Sequence, residues 1–104
     1  MSMRKNWEAG LIDCEVLLRE IDFMMDTNEP DLARQGVDEL GAIVSRWMGR
    51  LICLRKSLIG GGYTATVSVI EAYIDDYRAM GELGRERLSS LNWSAKFNPD
   101  NEGV

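Results

Sequence analysis

Apolar residues recur along three segments of the chain at alternating spacings of four and three. This heptad spacing lines one side of an α-helix with apolar side chains. It predicts helices from about residue 5 to 26, from about 30 to 59 and from about 63 to 92. The seam residues are Trp7, Leu11, Cys14, Leu18, Ile21 and Met25 on the first helix, Ala33, Val37, Leu40, Val44, Trp47, Leu51, Leu54 and Leu58 on the second, and Val67, Ile70, Ile74, Tyr77, Gly81, Gly84, Leu88 and Leu91 on the third.

Two short segments interrupt the periodicity: one contains Asn28 and Pro30, and the other is a glycine triplet at residues 60–62. Asn suits a turn, Pro suits the first turn of a following helix, and consecutive glycines disfavour a helix. Short connections make neighbouring helices antiparallel. The sequence therefore predicts an all-α fold, an antiparallel three-helix bundle over residues 1–92 with long second and third helices. Residues 93–104 are predicted to form a frayed, flexible or loosely docked C-terminal tail.

Aligning the antiparallel seams also predicts which residues face each other. It places Leu18 opposite Leu40 on the first two helices. On the second and third helices it places Leu40 opposite Gly81 and Trp47 opposite Ile74. These pairs define layers of a shared core.

The same alignment predicts two ion pairs between the second and third helices. Arg46 and Arg50 are like charges four residues apart, and such pairs are mildly destabilising within one helix. The alignment places Arg50 opposite Glu71 and Arg46 opposite Asp75. We expect each exposed pair to contribute only about 0–1 kcal/mol.

Glycines and small residues form a further pattern. Gly41, Ser45 and Gly49 share one face of the second helix, which makes it a candidate contact surface. Gly81 and Gly84 lie on the third seam and are expected to receive large side chains, such as Phe23 or an aromatic residue of a partner. The gap beside them could also bind a small ligand.

Composition narrows the function. The net charge of −5 argues against direct nucleic-acid binding, which favours a basic face. The two cysteines, Cys14 and Cys53, do not form a CxxC motif, and isolated cysteines of this kind fit small core residues in a reducing cytoplasm. No signal-peptide pattern or membrane-spanning apolar run is found, so a cytoplasmic location without membrane contact is predicted.

The carboxylates and the glycine triplet are the candidates for catalytic motifs. A magnesium-dependent all-α nucleotide pyrophosphohydrolase would pair acids three residues apart on neighbouring helices. However, Glu39 is followed at that distance by Ala42, and Glu71 is followed by Asp75 and Asp76. The glycine triplet lacks the residues of a phosphate-binding loop. The sequence therefore predicts no enzyme and no catalytic, cofactor-binding or metal-binding residue, and the hydrolase remains a minor alternative.

The remaining pattern favours protein interaction. More apolar residues are present than a three-helix core absorbs, and the surplus indicates an interface. We predict a small acidic interaction module that self-associates and binds a partner protein with a basic surface, like the inhibitors and adaptors encoded by phages or mobile elements. The alternative is a scaffold or chaperone.

The candidate acidic face comprises Asp13, Glu15, Glu20, Asp22, Asp26, Glu71, Asp75 and Asp76. The candidate apolar overhang lies at the second turn and is uncovered unless residues 1–4 fold over it. It comprises Leu54, Leu58, Ile59, Tyr63 and Val67.

Overall fold

The computed structural model describes residues 3–97, with side chains over residues 3–93. It contains three helices, α1 (Met3–Asp26), α2 (Pro30–Gly60) and α3 (Thr64–Phe97), and no strand within that range. α2 packs against both neighbours, and α1 and α3 share the smallest interface. The molecule is elongated, with extents of 62 × 23 × 15 Å. The all-α antiparallel three-helix bundle predicted from the seams is confirmed.

The C-terminal helix is longer than the periodicity predicts. α3 continues beyond Asn92 and ends at Phe97. The first residues of the predicted tail, from Trp93 onward, therefore belong to the helix. Residues 98–104 of that tail lie outside the described residues.

Both turns close the preceding helix with the same hydrogen-bond pattern. Asn28 and Gly62 adopt left-handed backbone conformations, with φ of 59° and 79°. The amide of Glu29 donates to the carbonyl of Met24 at 2.8 Å, and the amide that follows Gly62 donates to the carbonyl of Leu58 at 3.0 Å. This six-to-one bond is the Schellman motif, which satisfies carbonyls at a helix end. Gly62 is the only glycine of the triplet that needs a left-handed backbone.

The predicted seams form the core. Every seam residue is buried or half-buried, and none is exposed. The largest fully buried side chains are Tyr77, Ile21, Leu40, Leu51, Ile70, Ile74 and Cys14. Burial of each large apolar side chain contributes about 1.5–3 kcal/mol, so these residues supply much of the force that closes the bundle.

Two buried glycines allow α1 to approach its neighbours closely. A β-carbon at Gly10 would collide with the hydroxyl of Tyr77 and lie 2.7 Å from Nε1 of Trp47. A β-carbon at Gly36 would lie 2.7 Å from Cγ1 of Ile21. Gly10 is a core position that the sequence pattern missed, because glycine carries no apolar signal.

The predicted register agrees with the structure for α1 and α2 but not for α2 and α3. The contact of Gly36 with Ile21 agrees within one residue with the predicted register of α1 and α2. On α3, however, Leu40 packs over Gly84 instead of Gly81, with its Cδ2 atom 2.9 Å from the β-carbon position. The difference is about one helical turn.

Gly62 explains the shift. In a tight antiparallel hairpin, residues equally far along the chain from the turn face each other. Leu40 and Gly84 are equally far from Gly62, and so are Trp47 and Tyr77. The Trp47 and Tyr77 rings are stacked, with centroids 6.5 Å apart, so Trp47 does not pair with Ile74 as predicted.

The shift also removes the two predicted ion pairs between α2 and α3. The carboxylate of Asp75 binds Arg78 on its own helix at 3.1 Å. The guanidinium of Arg50 lies 5.2 Å from the ring centroid of Trp47, a cation–π distance. Within the described residues, neither Arg46 nor Glu71 forms an ion pair.

Polar contacts fix α1 on α3 at the level of Trp7. The hydroxyl of Tyr77 donates to the backbone carbonyl of Trp7 at 2.5 Å, and burial raises the pKa of that hydroxyl. Nearby, the hydroxyl of Tyr73 donates to Glu8 at 2.7 Å and accepts from Nε of Arg4 at 3.1 Å. Arg4 therefore belongs to α1 and lies against Tyr73. Residues 1 and 2 lie outside the described range.

Candidate functional site

An apolar stripe follows the solvent side of α1. Ile12, Val16 and Phe23 are 58%, 42% and 65% exposed. Because they are separated by four and seven residues, they lie along one line of the helix. Val16 also lines a groove between α1 and α2. We call these three residues the outer stripe. Arg19 lies on the same line, between Val16 and Phe23.

Carboxylates flank the outer stripe on both sides. At 100° per residue, the positions that border it take the places of the e and g positions of a coiled coil. Five of these positions hold an acid: Glu8, Asp13, Glu15, Glu20 and Asp22. The stripe is therefore an apolar surface with an acidic border.

Two of the bordering carboxylates are engaged within the bundle. Asp22 accepts two hydrogen bonds from Arg87 of α3, at 2.7 and 3.4 Å, and Glu8 accepts from Tyr73. Asp13, Glu15 and Glu20 are exposed and form no ion pair with any residue that the structure describes. Their charge faces solvent.

The candidate acidic face predicted from sequence divides between separate surfaces. Asp13, Glu15, Glu20 and Asp22 border the outer stripe. The α3 acids lie elsewhere: Asp76 lines a groove between α1 and α3 together with Glu8 and Arg4, and Asp75 binds Arg78. Asp26 and Glu71 are exposed, at the end of α1 and in the first half of α3. The outer stripe and its border therefore form the coherent part of this predicted set.

The five residues of the candidate apolar overhang differ in burial. We define the hairpin tip as residues 54–67, which comprise the second turn and the adjoining ends of α2 and α3. Val67 is buried, and Leu54 and Leu58 are half-buried against the core. Ile59 and Tyr63 are exposed, at 59% and 61%. The tip thus offers two large apolar side chains to a partner rather than five.

The glycine-lined seam is only partly filled from within the bundle. Leu40 occupies the space above Gly84, and Val44 Cγ1 lies 3.4 Å from the β-carbon position of Gly81. Phe23, which we expected to fill this space, lies on the outer stripe of α1 and is exposed. A groove remains here, lined by Gly81 and Gly84 together with Gly41, Ser45, Arg85 and Leu88 among others. Nothing lies within 4 Å of the β-carbon positions of Gly41 and Gly49.

Reactive groups are sparse in the described part of the chain. Cys14 is buried, and burial together with the charges of Asp13 and Glu15 raises its pKa to about 11, which keeps the thiol protonated. Cys53 is exposed. Across residues 3–97, no group of three acids or cysteines lies close enough to hold a metal ion. Glu39, the acid of the hydrolase alternative, lines a groove with Asp13 and Arg46.

Comparison with protein-family models, curated proteins and solved structures gave no match. Within residues 3–97, none of the three helices carries an apolar stretch long enough to span a bilayer. Function therefore has to be inferred from the surfaces described above.

The sequence pattern predicted a surplus of apolar residues, which include Ile12, Val16 and Phe23, but it did not predict that these three form one stripe. A signal was present. Ala9, Ile12, Val16, Arg19 and Phe23 repeat spacings of three and four, with acids at the bordering positions. A second heptad seam on one helix is the pattern that would have identified this surface.

Proposed function

We propose that the chain is a protein-interaction module whose outer stripe binds a cationic amphipathic helix of a partner protein. The observation that carries this proposal is the exposure of Ile12, Val16 and Phe23 within a border of carboxylates. An amphipathic helix laid on such a stripe would bury apolar surface on both sides. Burial supplies the affinity, and the border selects the partner.

Charge decides which helix fits. In a coiled coil, residues at the e and g positions choose the partner through attraction or repulsion. Two copies of the outer stripe facing each other would bring Asp13, Glu15 and Glu20 against like charges. A partner helix with Lys or Arg at those positions would meet opposite charges. Arg19, within the stripe, favours a partner acid at the facing position, which would fix the register.

This proposal agrees with a small inhibitor or adaptor of the kind that phages or mobile elements encode, acting in the cytoplasm. Such a protein acts by covering a surface of its target, which requires no catalytic group. Electrostatic attraction would steer the encounter and make the association rate sensitive to salt.

The proposal is tested by titrating the purified protein with a synthetic amphipathic peptide of about three heptads, with Leu at a and d and Lys at e and g. We expect saturable binding that weakens as salt is raised. Ile12→Asp or Phe23→Asp should abolish it. Leu32→Asp is the matched control, because Leu32 is an exposed apolar residue on α2. Equal binding by all three variants would reject the outer stripe as the site.

A second candidate function is a small assembly protein. The observation that favours it is the exposure of Ile59 and Tyr63 at the hairpin tip. It predicts a homo-oligomer that Tyr63→Asp dissociates, whether or not the outer stripe binds the peptide. Sedimentation velocity of the Tyr63→Asp variant checks this, and an unchanged mass distribution would reject it.

A further inference from the structure

The charges of the chain are segregated along its length. Residues 40–70 contain four basic residues, Arg46, Arg50, Arg55 and Lys56, and no acid. Because the whole chain carries −5, the other residues together carry −9. A protein that is acidic overall therefore contains a continuous cationic segment of 31 residues.

The fold keeps this segment together as a hairpin. It comprises the second half of α2, the turn and the start of α3. Arg46, Arg50 and Lys56 are exposed and Arg55 is half-buried, and none forms an ion pair with a described residue. Lys56 and Arg55 lie within the hairpin tip, close in sequence to exposed Ile59. This end of the molecule is therefore both cationic and apolar.

We infer that the hairpin tip of one copy of this chain docks on the outer stripe of a second copy. The two surfaces are complementary, because one combines Ile59 and Tyr63 with basic residues and the other combines Ile12 and Phe23 with a border of acids. This inference rests on the proposed function, since it uses the same outer stripe and identifies a second copy as one of its occupants.

The contact has to form between copies. The buried side of α1 packs on its own α2 and α3 and leaves Ile12 and Phe23 exposed, and Val16 lines a groove with Arg46 of α2 that does not include the tip residues Ile59 and Tyr63. α1 begins at Met3, and its first turn contacts Tyr73 through Arg4. Tyr73 is farther from the turn than the tip residues Ile59 and Tyr63. The start of α1, which contacts Tyr73, therefore does not reach the tip. A copy therefore cannot place its own tip on its own stripe.

Pairing between unlike surfaces has consequences for assembly. Each copy carries one stripe and one tip. Two copies that exchange both contacts form a closed dimer, whereas single contacts in series form an open chain. In either case, self-association occupies the surface that binds the partner helix. A basic partner would therefore compete with assembly.

Reciprocal charge reversal tests the inference in the full-length chain. We expect the wild type to sediment as a dimer or larger at low salt, with a roughly tenfold or greater rise in Kd as salt is raised to screen the charges. Arg55→Glu with Lys56→Glu should give a monomer, and so should Glu15→Lys with Glu20→Lys. A mixture of the two double variants should re-associate, because one reversed tip then meets one reversed stripe. Asp38→Lys is the matched control, since Asp38 is an exposed acid outside the stripe.

Each other outcome overturns the inference. A monomeric wild type at low salt would exclude self-association, and so would a mixture that stays monomeric. An oligonucleotide that binds the wild type and not the tip variant, with no change in protein mass, would assign the cationic tip to nucleic acid. If the wild type is monomeric and still binds the Lys-flanked peptide, only the second copy is excluded as occupant. If it neither self-associates nor binds the peptide, the proposed function fails as well.

Discussion

The inner and outer faces of α1 carry apolar residues at the same spacing but lie in opposite surroundings. On the inner face, Cys14 and Ile21 are fully buried against α2 and α3. On the outer face, Ile12 and Phe23 are exposed and bordered by carboxylates. The inner face packs on its own chain, where Gly36 of α2 lets Ile21 approach closely. Glu8, Glu15 and Asp22 border both faces, so spacing and charge in the sequence do not separate the two seams, and burial in the bundle does.

The largest expected effect separates two isoleucines of the same helix. Ile21→Ala should lower the free energy of unfolding by about 2–5 kcal/mol, because it opens a cavity in a packed core. Ile12→Ala should change it by less than about 0.5 kcal/mol, because the side chain is exposed. Urea denaturation followed by circular dichroism measures both. Similar losses for the two variants would remove the distinction between the faces.

Alanine substitution at two glycines is expected to change the stability of the protein in opposite directions. Gly10→Ala should destabilise the protein by about 1–3 kcal/mol, since the new β-carbon collides with Tyr77 and Trp47 in the core. Gly41→Ala should stabilise it by roughly 0.5–1 kcal/mol, since its β-carbon meets open space and alanine favours the helix. Chemical denaturation of both variants checks the signs. Stabilisation by Gly10→Ala would contradict the close approach of α1 to α3.

A pH-dependent effect on stability is expected from the buried thiol of Cys14. Burial raises the pKa of Cys14 from 9.0 to about 11, so the folded thiol stays protonated while the unfolded thiol ionises. The unfolded chain then binds fewer protons, and stability falls as pH rises above 9. Replacing Cys14 with Ala should flatten part of this alkaline decline. Urea midpoints of the wild type and the Cys14→Ala variant measured from pH 8 to 11 test this, and identical slopes in the two proteins would contradict it.

The smallest expected effect concerns the border of the outer stripe. Asp22→Asn removes the ion pair with Arg87 and should cost about 0–1 kcal/mol, the range for partly exposed pairs. Asp13→Asn, which breaks no ion pair, should have no measurable effect on stability. Thermal unfolding of both variants compares them. A larger loss for Asp13→Asn would show that this acid supports the bundle rather than an open surface.

The sequence predicted the fold because burial follows heptad spacing, and all the seam residues, such as Leu18 and Leu51, are buried or half-buried. It did not predict the facing residues of α2 and α3. Any two heptad seams align in several registers one turn apart, and the left-handed backbone of Gly62 selects one of them. Gly10 was missed because the close approach it permits depends on Tyr77, which is distant in sequence.

The candidate site was predicted only in part. Asp13, Glu15 and Glu20 were selected as a charged set, but their common border with Ile12 and Phe23 was not recognised. A charged residue can be predicted to be exposed from its type. An apolar residue cannot, because exposed and buried apolar residues are of the same types. Only the three-dimensional arrangement shows which of two seams is already satisfied.

The proposal that the outer stripe binds a basic helix is tested most directly by locating such a helix on the protein. Isotope-labelled protein is titrated with the Lys-flanked peptide, and amide shifts are followed by nuclear magnetic resonance. We expect the largest shifts on α1, around Ile12, Val16 and Phe23. Shifts confined to the groove beside Gly41 and Arg85, or none at saturating peptide, would contradict it.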